Sequence, residues 1–489
     1  MPGASFLAIT ADDLSTGRID SDALDRAVSN ILRKKFASRL FDRPADTSMV
    51  HEIDSPEHRA TARFAAEQGC VLLQNQNKTL PLDKTAVKKI AVVGPFGDGA
   101  TAQTAMLGGY SPGGVPRGGP VVTIAAAFKA RGFETSFTAG VSGGVGAPAV
   151  KDEDLPAAVA AAAAADVAVV AIGTMACGCC KRCGNGEVGD RMSLEPEGRQ
   201  LELLAAVLNA TKGSKTKVVA VLIHGRPVSF GTGAPDFSSS LDELPALMAA
   251  WRPGEEGGAA IVNLLLGDAN PSGKLTQAWQ RSAGYIHTPT SPWFQIHSDM
   301  ISGDYFGNGD DTPLSPLFPF SWGLSYTSFN FSNLGVEGID ALPASANGDA
   351  LENLTVVVKV TATNTGTVGG SVPVMAVYTK QTRGVVRNLR DLAAFTKIYL
   401  KPGESTIVGI PVRLCDLARY DESAPTTNRK GAAVVGAYVV DGGSYHFYAG
   451  DCVASGGVYD DRQQCSHDTA QVGITATIGT EGKLYGTYL

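Results

Sequence analysis

Three short valine-rich apolar runs constrain the fold of this chain more than any other feature. They span residues 89–93 (KIAVV), 167–172 (VAVVAI) and 217–223 (KVVAVLI), and stretches with helical periodicity separate them. Continuous apolar runs of this length are typical of strands buried on both faces. Because such strands alternate with helices, residues 47–335 are predicted to form an α/β sandwich, a mostly parallel sheet with helices on both faces.

The segments around these runs complete the pattern. A short strand is predicted over 134–138, and 247–251 form another apolar run. Helices are predicted over 58–74, 123–130, 155–165 and 258–266, and over a further stretch that begins near Pro196.

Beyond residue 353 the pattern changes to short alternating stretches such as 354–363 (LTVVVKVTAT), separated by turn signals such as Lys401-Pro-Gly403. This pattern predicts a β-sandwich of about seven strands over residues 353–489. Residues 336–352 are rich in serine, alanine, glycine and asparagine, and they are predicted to be a linker.

Residues 20–41 predict one amphipathic helix, with Asp20 or Ser21 as its cap. Its apolar residues form one stripe: Leu24, Val28, Ile31, Leu32, Phe36 and Leu40. Such a stripe must be buried on another surface, and the preceding residues are too few to form that surface.

Composition excludes several function classes. The net charge is −7 and there is no long basic run, which argues against a nucleic-acid partner. No segment reaches the roughly 18 consecutive apolar residues of a membrane-spanning helix. The seven histidines show no metal-ligand spacing, and no G-x-G-x-x-G follows a strand. We therefore predict neither a metal nor a cofactor.

A charged loop follows the apolar run 167–172. It contains Glu187, Asp190 and Arg191, and open α/β sheets bind their ligands at the carboxyl ends of their strands. Glu187 is therefore the first candidate for a functional residue. The loop also contains four cysteines: Cys177, Cys179, Cys180 and Cys183. Their close spacing favours disulfides over a tetrahedral zinc site.

Four sequons for N-glycosylation occur, at Asn77, Asn209, Asn330 and Asn353. With eight cysteines they favour an extracellular or vacuolar or lysosomal protein, although the first residues do not have the pattern of a signal peptide. A disulfide among Cys415, Cys452 and Cys465 is predicted, with its pairing open.

Several phrases resemble glycoside hydrolase family 3, the β-glucosidase and β-xylosidase family, and they occur in that family's order. They lie at 17–44, 58–82 with 89–95, 187–203 (EVGDRMSLEPEGRQLEL), 251–275 (WRPGEEGGAAIVNLLLGDANPSGKL), 316–334, and 400–405 with 443–450. The resemblance implies the end of a TIM-type barrel (1–46), an α/β sandwich and a fibronectin type III-like domain. It also implies that Met1 is internal to a longer protein, which would carry the rest of the barrel and a signal peptide upstream.

The resemblance also implies a mechanism. Retaining glycosidases use two carboxyl groups about 5 to 5.5 Å apart. Glu187 matches the family's general acid/base in an E-x-x-D-R phrase, although Val188 stands where glycine is usual. Asp190 and Arg191 are either sugar ligands or an ion pair that braces the loop. The nucleophilic aspartate belongs to the barrel, so we expect this chain alone to hydrolyse little or nothing.

The leading hypothesis is the C-terminal part of a retaining exo-β-glycosidase acting on terminal β-D-glucosyl residues of a β-linked oligosaccharide or glycoside. Its partner would be a barrel, upstream or on a separate chain. A β-xylosidase of the same family is the first alternative. A non-catalytic carbohydrate-binding or structural component of an extracellular assembly is the second.

Overall fold

The computed structural model describes residues 10–42, 52–109, 121–144, 154–175, 193–231, 238–281, 283, 317–346, 349–380, 382, 385, 390–427, 433–453, 472–479 and 484–488. The chain divides into two compact units, Met1–His58 and Arg59–Leu489. None of the described helices has the length and apolar character needed to span a membrane.

The first unit contains helix α1 (Ala11–Ser15) and the longer helix α2 (Ser21–Ala37). Asp20 caps α2 as predicted, because its carboxylate accepts a hydrogen bond from the Asp22 amide at 3.1 Å. The predicted apolar stripe lies on the surface, with Ile31 58% and Phe36 64% exposed. The helix ends at Ala37, before the predicted end at residue 41.

One sheet forms the centre of the α/β domain, with the strand order β1-β6-β5-β4-β2-β3. The strands are β1 (Val71–Asn75), β2 (Lys89–Val93), β3 (Glu134–Thr138), β4 (Val167–Gly173), β5 (Lys217–Ile223) and β6 (Ala246–Trp251). Strands β2 to β6 pair in parallel, and β1 pairs antiparallel to β6. The sheet is therefore mostly parallel, as predicted.

Helices cover both faces of this sheet. They are α3 (Pro56–Gly69), α4 (Gly99–Leu107), α5 (Ile124–Ala130), α6 (Leu155–Ala163), α7 (Gln200–Thr211), α8 (Ser238–Glu243) and α9 (Gly257–Leu265). Alternate residues of β4 enter two different cores: Val169 packs in the same core as Phe128, and Val170 in the same core as Leu204. Every residue of β4 is buried, which explains its continuous apolar sequence.

Two predicted helix boundaries were wrong. The helix predicted over 58–74 ends at Gly69, and residues 71–75 form β1, whose first three residues are buried against β6 and the flanking segments. The helix predicted to begin near Pro196 begins at Gln200, because Gly198 has a φ of +68° that an α-helix cannot contain. Helix α4 was not predicted.

The C-terminal part is a β-sandwich with sheets β10-β9-β14-β15, β11-β8-β7 and β12-β13-β16. Its strands are β7 (Phe329–Glu337), β8 (Thr355–Asn364), β9 (Gly370–Thr379), β10 (Asp391–Leu400), β11 (Ser405–Arg413), β12 (Arg419–Thr427), β13 (Ala433–Asp441), β14 (Gly443–Gly450), β15 (Val472–Ile478) and β16 (Leu484–Tyr488). The described residues thus hold more strands than the predicted seven.

Strand β7 crosses the predicted domain boundary at residue 335. It pairs antiparallel with β8, so its residues belong to the sandwich rather than to the α/β domain or a linker. Phe331 of β7 packs in the sandwich core with Val358 and Tyr445. The predicted linker also contains the short helix α10 (Asp349–Asn353), of which Leu351 is fully buried in the same core.

Candidate active site

The segment that carries Glu187 attaches to the carboxyl edge of the sheet. The chain leaves β4 through Thr174 and Met175, both buried, and the described structure resumes at Ser193. Glu187, Asp190, Arg191 and the four clustered cysteines lie outside the described residues. The structure therefore describes the residues on either side of segment 176–192 and the side chains that hold them.

Gln200, the first residue of α7, joins the two ends. Its Oε1 accepts a hydrogen bond from the Gly173 amide at 2.8 Å. Its Nε2 donates to the carbonyls of Gly173 at 3.2 Å and of Glu197 at 2.8 Å. The side chain is fully buried, so these bonds form away from water. Gly173 has a φ of +147°, and a Cβ there would collide with the Ile223 carbonyl, so this close approach needs glycine.

Arg252 holds the departing end. It directly follows β6, and its Nη1 donates to the carbonyl of Thr174 at 2.8 Å and to that of Ala105 at 2.9 Å. Burial and the neighbouring Arg226 lower the pKa of Arg252 to about 10, while Glu197 raises it. The guanidinium therefore stays charged at neutral pH, and it donates charge-assisted bonds to the backbone.

Arg226 holds the returning end. Its Nη1 donates to the Leu194 carbonyl at 2.7 Å and its Nη2 donates to the Glu195 carbonyl at 3.1 Å. The Ser229 amide also donates to the Leu194 carbonyl, at 3.2 Å. These contacts give Arg226 a structural role, because its guanidinium binds backbone carbonyls of the returning chain.

His224 lies behind Arg226 and is fully buried. Its ring centroid is 4.7 Å from that of Trp251 and 5.0 Å from that of Trp279. Nδ1 lies 2.8 Å from the Arg226 carbonyl, and a carbonyl only accepts, so Nδ1 carries the proton. Burial lowers the pKa of His224 to about 3, although the bond to Arg226 opposes this, and the charges of Arg252 and Arg226 lower it further. The imidazole is therefore neutral at physiological pH.

Glu197 is also buried at this edge, and it precedes α7 rather than lying in its first turn. Its surroundings indicate a structural role, since its carboxylate packs against Gly144, where a Cβ would collide with it. Its charge also raises the pKa of Arg252.

The remaining predicted sites fall on different parts of the surface and core. The four sequon asparagines, Asn77, Asn209, Asn330 and Asn353, are all exposed. Cys415 is a buried thiol that is not part of a disulfide, so the predicted disulfide does not include it. Cys452 is buried, and Cys465 lies outside the described residues, so a disulfide at Cys452 stays a prediction.

The described side chains at the carboxyl edge position backbone rather than transfer protons. Both arginines donate to carbonyls, and His224 is buried and neutral. Within the described ranges, no group of histidine, cysteine and carboxylate residues could hold a metal ion. Sequence reasoning missed Gln200 and Arg252. The phrase WRPG, in which a charged residue directly follows a buried strand, was the available signal for Arg252.

Two domain families match the chain. Residues 70–326 match the glycosyl hydrolase family 3 C-terminal domain, and residues 373–452 match the fibronectin type III-like domain. These matches cover the α/β domain and the central strands of the β-sandwich.

Known proteins with similar sequences are β-glycosidases. A β-xylosidase of Formosa agariphila is 33% identical over 400 residues, which cover 81% of this chain and 50% of that protein. A lysosomal β-glucosidase of Dictyostelium discoideum is 29% identical, with 82% of this chain and 46% of that protein covered. The chain thus spans about half the length of these curated relatives.

A solved structure has the same fold. A β-glucosidase from Erythrobacter marinus superposes with a TM-score of 0.68 and 29% identity, over 96% of this chain and 57% of that one. The domain match over more than half of the chain, together with this fold, shows that the chain belongs to glycosyl hydrolase family 3.

Proposed function

We propose that this chain supplies the general acid/base of a retaining exo-β-glycosidase, and that Glu187 is that residue. Its carboxyl group donates a proton to the glycosidic oxygen as the bond to the anomeric carbon breaks. The resulting carboxylate then takes a proton from the water that releases the sugar from the nucleophile. The substrate is a terminal β-D-glucosyl residue of an oligosaccharide or glycoside.

The attachment of segment 176–192 carries this proposal. The residues that flank it lie at the carboxyl edge of the sheet, where α/β folds bind ligands, and Gln200, Arg226 and Arg252 hold those flanking residues there. A proton donor must remain within hydrogen-bond distance of the leaving oxygen, and firm anchors at both ends serve that need. Asp190 and Arg191 act beside Glu187, as sugar ligands or as an ion pair.

The nucleophilic aspartate belongs to a barrel domain, either upstream in the natural protein or on a separate chain. Two observations support such a partner. The chain spans about half the length of its relatives, and α2 exposes apolar side chains such as Ile31 and Phe36. Burial of this apolar stripe on a barrel would stabilise both α2 and the barrel.

β-Xyloside hydrolysis is the second candidate, because the relative at 33% identity is named a β-xylosidase. The two sugars differ by one hydroxymethyl group. Competition between aryl β-glucoside and aryl β-xyloside substrates separates the candidates by the ratio of their kcat/KM values.

We also place the protein outside the cytosol, with glycans on the sequons and a disulfide at Cys452. The exposure of Asn77, Asn209, Asn330 and Asn353 supports the glycans. Intact-mass measurement of the natural protein before and after deglycosylation and reduction tests both features.

Kinetics of the Glu187→Gln variant, assayed with the barrel supplied, test the catalytic role. With a poor alkyl leaving group, kcat should fall by about 10² to 10⁴. With an activated aryl leaving group, glycosyl transfer to the nucleophile needs little acid assistance, so the first-step rate should fall far less. Glu195→Gln is the matched control and should leave both rates unchanged.

Equal losses with both leaving groups would contradict the acid/base assignment. Full activity of the chain without any barrel would contradict the divided site.

A further inference from the structure

A cavity of about 510 Å³ lies where the α/β domain meets the β-sandwich. Its walls come from α3, from residues 267–270 after α9, from the turn between β8 and β9, and from β10. Ligand pockets of this size occur preferentially at domain junctions. Gln200, Arg226 and Arg252, which hold the backbone at the carboxyl edge of the sheet, do not line this cavity.

Two aromatic rings line the cavity, one from each domain. Phe64 of α3 is 61% exposed and Tyr399 of β10 is 60% exposed. The Tyr399 ring packs against the backbone of Gly369, where a Cβ would collide with the phenol hydroxyl. The ring is thus held in place while much of its surface remains open to the cavity. Exposed rings held in this way suit the flat C–H faces of pyranose sugars.

Polar groups around the rings are already oriented by the protein. Asn263 Nδ2 donates to Glu67 Oε1 at 2.7 Å, which fixes the Glu67 carboxylate at the cavity wall. Asn270 Nδ2 donates to Ser325 Oγ at 2.8 Å and to the Pro271 carbonyl at 3.1 Å, and its Oδ1 accepts from the Tyr326 amide at 2.9 Å. The wall therefore presents oriented acceptor oxygens, Glu67 Oε and Asn270 Oδ1, to which the hydroxyl groups of a ligand can donate.

The charged groups around the cavity are of both signs. Glu67, Asp268 and Lys78 line it, and Asp268 is paired with Lys84 and Arg131. Two carboxylates and three cations leave a net charge of only +1, so no strong field of either sign favours a highly charged ligand.

Several polar contacts join the two domains around the cavity. Lys397, two residues before Tyr399, donates from Nζ to the Gln68 carbonyl of α3 at 3.0 Å. Lys274 of the α/β domain pairs with Asp451 of the sandwich at 3.3 Å, and the Val453 amide donates to Ser321 Oγ at 2.7 Å. These contacts hold the two aromatic walls at a set separation, so the cavity is formed before a ligand arrives.

We propose that this cavity binds a neutral oligosaccharide, with sugar rings packed on Phe64 and Tyr399 and hydroxyl groups bonded to residues such as Glu67 and Asn270. The site would hold a polymeric or branched glycan beside an enzyme that trims its ends.

Isothermal titration of the full 489-residue chain with cellotetraose and with xylotetraose tests this proposal. Intact-mass analysis of the probe after each titration verifies that it has not been hydrolysed. We expect binding of at least one probe, and Phe64→Ala and Tyr399→Ala should each weaken it by about tenfold. Tyr399→Phe, which keeps the ring, should bind nearly as well as the parent.

Phe395→Ala is the matched control. Phe395 lies on the same strand as Tyr399 and is 62% exposed, but it is not among the residues that line the cavity. It should leave the affinity unchanged, as should Tyr420→Ala on β12.

Circular-dichroism melting of each variant verifies that it is folded. Absence of binding to both probes, or equal loss in Phe395→Ala and Tyr399→Ala, would overturn the site. Tighter binding of an oligogalacturonate than of either neutral probe would overturn the choice of ligand. None of these outcomes depends on the catalytic role of Glu187.

Discussion

Helices α7 and α2 are both amphipathic, yet only α7 buries its apolar face. In α7, Leu203, Leu204 and Val207 are fully buried against the sheet, and Gln200 joins the start of the helix to β4. In α2, Ile31 and Phe36 are more than half exposed. Periodicity identifies the apolar face of a helix but not the surface that covers it. The chain itself buries the apolar face of α7, whereas we propose that a barrel buries the apolar face of α2.

The largest expected effect is on α7. Leu204→Ala removes a fully buried side chain from the core between α7 and the sheet, and should lower the free energy of unfolding by about 2 to 5 kcal/mol. Urea denaturation followed by circular dichroism measures it. A loss below about 1 kcal/mol would mean that this core is not closed by the chain's own side chains.

The pH dependence of stability at the carboxyl edge comes next. The pKa of folded His224 is about 3, below its ordinary value, so the unfolded state takes up a proton first as the pH falls. Above about pH 6.5 this histidine does not lower the free energy of unfolding. Below that pH the free energy of unfolding falls by up to about 1.4 kcal/mol per pH unit.

His224→Asn keeps a donor near the position of Nδ1 but does not titrate. The free energy of unfolding of the parent should therefore fall more steeply than that of His224→Asn between about pH 6 and pH 4. His446→Asn, at a surface position bonded to Thr475, serves as the control. Parallel pH profiles for the parent and His224→Asn would argue against a buried neutral histidine.

Removal of the Arg226 guanidinium should have a smaller effect. Arg226→Met leaves the Leu194 and Glu195 carbonyls without this donor and should cost about 1 to 3 kcal/mol. Arg226→Lys should cost less, because one ammonium keeps the charge and can reach one carbonyl. Arg413→Met, which removes an exposed partner of Asp416, should change stability by under about 1 kcal/mol.

The smallest expected effect is on α2. Leu32→Ala makes the same substitution as Leu204→Ala, but at a residue that is 39% exposed. It should change the free energy of unfolding of the chain by less than about 1 kcal/mol. A loss as large as that of Leu204→Ala would remove the contrast between the two helices. A larger loss only when a barrel is present would sharpen it.

The strands of the parallel sheet were the best predicted elements. Those over 89–93, 134–138 and 217–223 match the structure residue for residue, although the edge strand over 134–138 is only partly buried. Strand β1 was predicted as helix because Val71-Leu72-Leu73 continues the apolar spacing of α3, and its pairing with β6 is a contact between residues far apart in sequence. Strand β7 was assigned to the wrong domain for a similar reason, since its partner β8 lies beyond the predicted linker.

Local sequence was enough to predict the α/β domain and the β-sandwich, because hydrophobic periodicity and turn residues act over a few positions. The side chains that hold the residues on either side of segment 176–192 could not be found in this way. Arg252 reaches the Ala105 carbonyl across 147 residues of sequence and the Thr174 carbonyl across 78. The cavity between Phe64 and Tyr399 likewise joins two domains. Such contacts depend on which backbone groups and surfaces the packed chain brings together, and no local pattern contains that information.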